Sequence, residues 1–179
     1  MIKDFTLKKA ADSDLAPIRM LYWKLLDSSE QYAHILQWKK DIYPADEDWK
    51  FYIDNNEMYV LCDHNDLIGA FVLTRSQSQD YRKIDWEIDA KDDEVSVVHL
   101  LVVDPDYQGR GIATAILDEI IRIAKTMGKK AVRLDAIITN KPAQKIYEKY
   151  GFIRRGQAQE YYESTGFTEF IFYEYILCY

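Results

Sequence analysis

The sequence of 179 residues predicts a mixed α+β fold, in which a twisted sheet of about seven strands carries helices on both faces. Runs with strand-like character alternate along the chain with runs that have helical periodicity. One run, Val95–Val103, is almost continuously apolar, which is typical of a strand buried on both faces. Neither a Gly/Ser-rich linker nor an internal repeat divides the chain, and this favours a single domain over residues 1–179.

The N-terminal part predicts one strand followed by helices. Phe5–Lys9 predicts a short strand, and apolar residues at helical spacing between Leu15 and Leu26 predict the first helix. The aromatic stretch Ser28–Trp49 predicts helical pieces. They should break at Tyr43-Pro44, because the residue before a proline avoids the helical conformation.

The middle of the chain predicts strands. Met58–Cys62 and Leu67–Arg75 predict a hairpin, and the alternating apolar residues of Asp80–Ala90 predict a further half-buried strand before Val95–Val103. After it, an amphipathic helix is expected over Gly111–Met127, with Gly128 as its terminator. The remaining elements are predicted as a strand, a helix and two strands: Ala131–Ile137, Lys141–Lys149, Phe152–Tyr162 and Phe167–Leu177.

Composition limits the classes of partner. The net charge of −7 argues against duplex nucleic acid or an anionic membrane as the main partner. Cys62 and Cys178 lie far apart without the spacing of metal ligands, which favours a reducing cytoplasm and no metal site. The start of the sequence lacks the apolar core of a signal peptide, and no apolar run reaches the ~18 residues of a membrane helix.

The turn after Val95–Val103 carries the strongest functional pattern. Two glycines, Gly109 and Gly111, stand directly before a helix, where bare backbone N–H groups and the positive end of the helix dipole can hold an anion. Arg110 adds a cation, so the loop predicts a pyrophosphate site. A glycine-rich turn without a ligand is the alternative. The signatures of P-loop and dinucleotide-binding sites are both absent.

Two motifs resemble one known family. Gln108-Gly109-Arg110-Gly111-Ile112-Ala113 is similar to the Q/R-x-x-G-x-G/A signature of the GNAT (Gcn5-related N-acetyltransferase) superfamily. Asn140 to Phe152 is similar to its second motif, N-x-x-A-x-x-x-Y-x-x-x-G-F, and the order of elements agrees over nearly the whole chain. The resemblance implies a mostly antiparallel sheet in which one parallel pair, Val95–Val103 and Ala131–Ile137, splays apart to bind acetyl-CoA.

The resemblance also assigns the residues that bind the cofactor. Backbone groups of Leu101, Val102 and Val103 would pair with the pantetheine arm, and the N–H of Leu101 would polarise the thioester carbonyl. Asn140 would contact the arm and Ala143 would leave room for it, although Asn140 is equally explained as a helix cap. The pyrophosphate would lie on one continuous set of residues: Gln108, Gly109, Arg110, Gly111, Ile112, Ala113 and Thr114.

Tyr147 and His99 are the candidate catalytic residues. Tyr147 occupies the tyrosine position of the second motif, and a hydroxyl that stays protonated at neutral pH can donate to the departing CoA thiolate. His99 is expected to share a strand face with Leu101 and Val97 and could accept the proton of the amine. It could equally be a satisfied histidine inside a sheet. Glu94, Glu87 and bulk water are the alternative bases.

The acceptor is expected to be a primary amine of a small molecule or a peptide. Trp38, Tyr43 and Trp86 are the candidate substrate-binding residues, because aromatic and acidic side chains can hold a cation. Two other functions stay open, namely a regulatory module that binds acyl-CoA without turnover and an acetyltransferase of protein N-termini or lysines. Dimers are common in the family, so a homodimer is one expectation.

Overall fold

The computed structural model describes residues 5–162 and 166–178. It confirms the predicted fold class, with seven strands and five α-helices in this part of the chain. The helices and strands follow in the order β1 (Phe5–Lys9), α1 (Leu15–Ser28), α2 (Glu30–Leu36), α3 (Asp46–Asp54), β2 (Met58–Asp63), β3 (Asp66–Thr74), β4 (Val95–Val103), α4 (Ile112–Thr126), β5 (Ala131–Ile137), α5 (Lys141–Tyr150), β6 (Ile153–Tyr162) and β7 (Gly166–Ile176).

The strands form one mixed sheet in the order β1-β2-β3-β4-β5-β7-β6. Antiparallel registers join β1 to β2, β2 to β3, β5 to β7 and β6 to β7. The pair β4–β5 is parallel, with a register that runs from Val95↔Ala131 to Val98↔Leu134. The expected mostly antiparallel sheet with one parallel pair is therefore present.

The predicted strand over Asp80–Ala90 is wrong. The chain there forms a short 3-10 helix, Gln79–Lys83, and then continues without regular structure. Side chains, not a neighbouring strand, bind its backbone: Arg133 Nη2 donates to the carbonyl of Ile88 at 2.9 Å, and Trp86 Nε1 donates to that of Tyr81 at 2.7 Å. Buried and exposed side chains do alternate along this segment, but they pack there without the backbone hydrogen bonds of a β-sheet.

The chain divides into two compact units. The first unit comprises Met1–Val72 and Leu100–Ile116. Its core forms because α1 turns one apolar face inward, and Tyr22 of that face packs against Trp49 of α3 at a ring distance of 5.1 Å. Leu100 of β4 is buried in the same cluster.

The second unit comprises Leu73–His99 and Leu117–Tyr179. An ion pair lies within it between two directly opposed residues of β5 and β7, since Arg133 Nη2 is 2.8 Å from Glu174 Oε1 and both side chains are at most 1% exposed. Arg155 of β6 adds a second cation to Glu174 at 3.2 Å. Removal of one partner would leave a buried charge unpaired, at a cost of about 3–5 kcal/mol.

None of the helices described is both long and apolar enough to cross a membrane.

Candidate functional site

The loop between β4 and α4 begins in a fixed turn of the first unit. A 3-10 helix, Pro105–Tyr107, follows β4, and the carboxylate of Asp104 accepts a hydrogen bond from the Asp106 N–H at 2.9 Å. Lys24 of α1 binds Asp104 at 2.7 Å. The direction in which the chain leaves β4 is thus set before the glycines begin.

The two glycines open the start of α4 to a ligand. Gly109 has φ of +74° and Gly111 has φ of +80°, and both are conformations that residues with a side chain rarely adopt. Apart from the glycine and its two chain neighbours, no heavy atom of the described residues lies within 4 Å of where a Cβ would stand at either position. Because α4 starts at Ile112, the N–H groups of its first turn have no helical partner. Open backbone at a helix N-terminus fits the pyrophosphate of CoA.

The side chains of Gln108 and Arg110, which precede and separate the two glycines, are anchored. Tyr32 of α2 donates its hydroxyl to Gln108 Oε1 at 2.9 Å. The guanidinium of Arg110 lies 5.1 Å from the ring centre of Tyr107, whose hydroxyl donates to Asp63 at 2.9 Å. These contacts hold both motif side chains beside the start of α4.

The regular geometry of β4 is interrupted at Leu100, where φ is +51°. Before that point, Val97 belongs to the apolar cluster that contains Tyr81, and the His99 ring lies 6.3 Å from the ring of Tyr81. Beyond it the two-residue period does not extend, so a shared face of His99 and Leu101 does not follow from spacing. Leu101 is half-buried, whereas Val102 and Val103 are buried.

In the second unit, the Asn140–Phe152 motif is a helix with a defined start and end. Asn140 Oδ1 accepts from the Ala143 N–H at 3.3 Å, so the capping explanation of Asn140 holds. Gly151, with φ of +115°, ends the helix, and the Phe152 N–H donates to the carbonyl of Tyr147 at 3.0 Å. The glycine and phenylalanine of the motif therefore set where α5 stops.

Tyr147 is buried in this unit, with 8% of its surface exposed. Its ring packs at 6.0 Å from that of Phe152 and 6.1 Å from that of Tyr173. Burial, together with the nearby charge of Asp135, raises the pKa of the Tyr147 hydroxyl well above its ordinary value. The hydroxyl therefore stays protonated at neutral pH.

A cluster around Asp135 is a candidate functional feature that the sequence did not predict. Tyr81 donates its hydroxyl to Asp135 Oδ1, and the Tyr81 and His99 rings meet edge to face at 6.3 Å. Burial raises the pKa of Asp135, while the charge of His99 and the Tyr81 hydrogen bond oppose that shift. One signal was available in the sequence, since Asp135 is a carboxylate inside the otherwise apolar end of the predicted strand Ala131–Ile137.

The aromatic candidates for acceptor binding have different surroundings. Trp38 packs on Tyr22 of the first-unit core at 5.5 Å, and Tyr43 is 42% exposed. In the second unit, the Trp86 ring stacks on Tyr81 at 5.9 Å and has the guanidinium of Arg133 at 4.2 Å. Trp86 thus already contacts a cation of this protein.

Each of the two units contains candidate site residues. The first contains the Gln108–Thr114 loop, Leu101–Val103, Trp38 and Tyr43. The second brings together His99, Asp135, Tyr81 and Trp86, and it also contains Asn140, Ala143 and Tyr147.

Comparison with known proteins gives a match to one family model, several related sequences and solved structures of similar fold. The family model described as "Acetyltransferase (GNAT) family" matches residues 18–152. An uncharacterised N-acetyltransferase of Methanocaldococcus jannaschii is 29% identical over 160 residues, which cover 85% of this chain and 62% of that protein. The chain thus spans less than two thirds of the length of this relative.

A second relative and one solved structure agree with that match. The ribosomal protein bS18-alanine N-acetyltransferase of Escherichia coli is 24% identical over 140 residues, covering 78% of this chain and 80% of its own. The yncA protein of Salmonella typhimurium, solved with its cofactor acetyl-CoA, has a TM-score of 0.70 at 15% identity and covers 98% of this chain and 95% of its own. At that identity the likeness establishes the fold alone.

Proposed function

Since the chain belongs to the acetyltransferase (GNAT) family, we propose that it is an N-acetyltransferase that uses acetyl-CoA and a primary amine of a small molecule or peptide. The observation that carries the proposal is the loop before α4. There two glycines with positive φ leave the backbone open at a helix N-terminus. A loop of this kind binds a pyrophosphate without requiring any particular anion-binding side chain.

The chain's own groups divide the binding of the cofactor. N–H groups from Gln108 to Thr114 hold the pyrophosphate, with Arg110 as the added cation. Backbone groups of Leu101, Val102 and Val103 pair with the pantetheine arm, and the Leu101 N–H donates to the thioester carbonyl. Asn140 and Ala143 border the arm from α5. Acetyl-CoA supplies the acetyl thioester, from which the acetyl carbon forms a C–N bond as its C–S bond breaks.

Tyr147 is the proposed general acid. Its hydroxyl donates a hydrogen bond to the sulfur as it leaves as a thiolate, and solvent protonates that thiolate after release. The raised pKa of Tyr147 keeps the proton available over the working range, although it also makes full transfer to a thiolate of pKa ~8.5 less favourable. Tyr147 thus acts by a hydrogen bond that strengthens as charge develops on sulfur.

His99, with Asp135 beside it, is the proposed base. An amine attacks only as a free base, so the ammonium proton has to be removed, and a neutral imidazole accepts it. The negative charge of Asp135 stabilises the imidazolium that forms, just as the positive charge of His99 lowers the pKa of Asp135. This coupling favours His99 over Glu94, which is only partly exposed and already paired with Lys130 at 2.8 Å.

The proposed acceptor class includes peptides as well as small amines. The Escherichia coli relative is named as an N-acetyltransferase of an alanine of ribosomal protein bS18, which supports including peptides beside small amines. Of the predicted aromatic contacts, Tyr43 is the most exposed, while Trp38 and Trp86 already pack against other residues of the chain. We therefore propose that Tyr43 contributes more than Trp86 to acceptor binding.

Thiol release from acetyl-CoA tests the function. The purified chain is assayed against a panel of polyamines, amino acids, lysine peptides and peptides with a free N-terminal alanine, and CoA binding is measured by calorimetry. Turnover on an amine supports the transferase, and the preferred amine shows whether proteins are its substrates. Tight CoA binding without turnover on any amine would instead support the regulatory module.

We also infer that residues 1–179 act as one domain, because the family model matches residues of both units. Cys62 and Cys178 are free thiols, which supports a reducing, cytoplasmic location. The expected homodimer is tested by the mass of the protein in analytical ultracentrifugation.

A further inference from the structure

Tyr22 lies in the core of the first unit and binds β4 at the point where the regular geometry of that strand is interrupted. Its side chain is 1% exposed, packed between Trp49 at 5.1 Å and Trp38 at 5.5 Å. Its hydroxyl donates to the carbonyl of Leu100. Burial raises the pKa of this hydroxyl well above its ordinary value, so the proton of the hydrogen bond stays on Tyr22.

Leu100 has a conformation that needs such support. Its φ of +51° is unfavourable for a residue with a branched side chain, at a cost of about 1–2 kcal/mol. The Leu100 side chain is buried in the same apolar cluster as Tyr22. Packing therefore holds the side chain of Leu100, while the Tyr22 hydroxyl holds its carbonyl, and the backbone turn persists because both act together.

The direction of the Leu101 N–H follows from that hydrogen bond. The carbonyl of Leu100 and the N–H of Leu101 belong to the same peptide group, which is planar and trans, so the two bonds point in opposite directions. Fixing the oxygen at one edge of this plane fixes the N–H at the other. A hydrogen bond accepted by the carbonyl also polarises the amide, which strengthens its N–H as a donor.

We propose that Tyr22 is a positioning residue for catalysis, which aims and polarises the Leu101 N–H through the carbonyl of Leu100. The inference rests on the proposed function, in which that N–H donates to the thioester carbonyl. Tyr22 itself touches neither substrate. Its part is to keep one donor oriented before the reaction, so that no reorganisation is needed as negative charge develops on the oxygen.

Tyr22→Phe tests the inference because it removes only the hydroxyl. We expect kcat to fall about 5- to 50-fold, since loss of a whole oxyanion donor costs about 10²–10³ in kcat and here the donor is misaimed but present. The KM for acetyl-CoA should change less than about twofold. In the protein without ligands, the ¹⁵N resonance of the Leu101 amide should move, and with bound [1-¹³C]acetyl-CoA the thioester carbonyl stretch should shift to higher wavenumber.

Tyr59→Phe is the matched control, because Tyr59 is another buried tyrosine of the first unit and lies on β2. An equal fall of kcat in both variants would overturn the inference, as would an unchanged kcat in Tyr22→Phe. If Tyr22→Phe does not fold, 3-fluorotyrosine placed at position 22 supplies a stronger donor of nearly the same shape. An unaltered Leu101 amide resonance would then count against the proposal.

Different results would contradict the proposed transferase activity and the positioning role of Tyr22. A wild-type chain that turns over no amine contradicts the transferase, yet the Leu101 resonance still reports whether Tyr22 controls this peptide group. An active wild type whose Tyr22→Phe variant keeps full kcat contradicts only the positioning by Tyr22.

Discussion

The loop before α4 is formed by backbone groups, whereas the cluster around Asp135 is formed by side chains. The loop relies on backbone: two glycines at positive φ and a helix N-terminus, all within seven consecutive residues. The cluster relies on side chains from three separate segments, with Tyr81 from a 3-10 helix, His99 from β4 and Asp135 from β5. A backbone site can be recognised from local sequence, whereas a side-chain site depends on the partners that the fold brings together.

The largest effect is expected from a substitution in the loop before α4. Gly111→Asp should weaken CoA binding by about 100-fold or more, because it adds strain of ~1–2 kcal/mol at φ of +80° and a negative charge against the phosphates. Calorimetric titration with CoA measures the change. Gly128→Asp is the control, since Gly128 also has positive φ and open space but follows the end of α4. Equal affinity in wild type and Gly111→Asp would rule out the loop as the pyrophosphate site.

A smaller loss is expected at the acid. Tyr147→Phe should lower kcat about 100-fold and leave CoA affinity within about twofold, because the hydroxyl acts on the departing sulfur rather than on binding. Steady-state kinetics and calorimetry separate the two quantities. Tyr150→Phe removes a hydroxyl from the same helix, where it donates to Asp118 at 2.8 Å, and should behave as wild type. Full activity of Tyr147→Phe would exclude the acid role.

The side-chain cluster should reveal itself through pH. Asp135→Asn should lower kcat about 10-fold, because a neutral amide does not stabilise the imidazolium of His99. It should also raise the melting temperature at pH 7. The folded-state pKa of Asp135 is raised, so the protonated form stabilises the fold and that stability is lost as pH rises through this pKa.

The asparagine variant has no proton to lose, so its gain in melting temperature over wild type should shrink as pH falls toward 4. Differential scanning calorimetry at several pH values measures the difference. Asp118→Asn is the control, because Asp118 is an exposed carboxylate of the same unit. If the gain in melting temperature were the same at every pH, the charge of Asp135 would not be what destabilises the wild-type fold.

The smallest effect is expected at Tyr32, and it measures how much a side chain contributes to CoA binding by the loop. Tyr32→Phe removes the hydrogen bond to Gln108 and should weaken CoA binding only about two- to fivefold, since one neutral hydrogen bond contributes about 0.5–1.5 kcal/mol. The backbone donors of the loop would remain. Calorimetric titration beside Gly111→Asp ranks the two contributions. If Tyr32→Phe lost as much affinity as Gly111→Asp, the loop would depend on side chains after all.

Much of this fold could be predicted because its signals are local. The helix at Asn140–Phe152 was predictable since Asn140 caps it and Gly151 ends it within one short stretch of chain. The strand predicted over Asp80–Ala90 was wrong because alternating burial does not distinguish a paired strand from a segment held on side chains. The partners of that segment, Arg133 and Glu174, lie more than 40 residues further along the chain.

By itself, the sequence determined the fold class, the order of elements other than Asp80–Ala90, the glycine loop and the family, all of which depend on neighbouring residues and their spacing. Only the tertiary structure revealed the positive φ of Leu100, the Tyr22 hydroxyl at its carbonyl and the cluster of Asp135 with His99 and Tyr81. The physical reason is that a backbone turn inside a strand and the pKa of a buried carboxylate are both set by groups distant in sequence. Burial and hydrogen bonding act through space, and residue spacing does not record them.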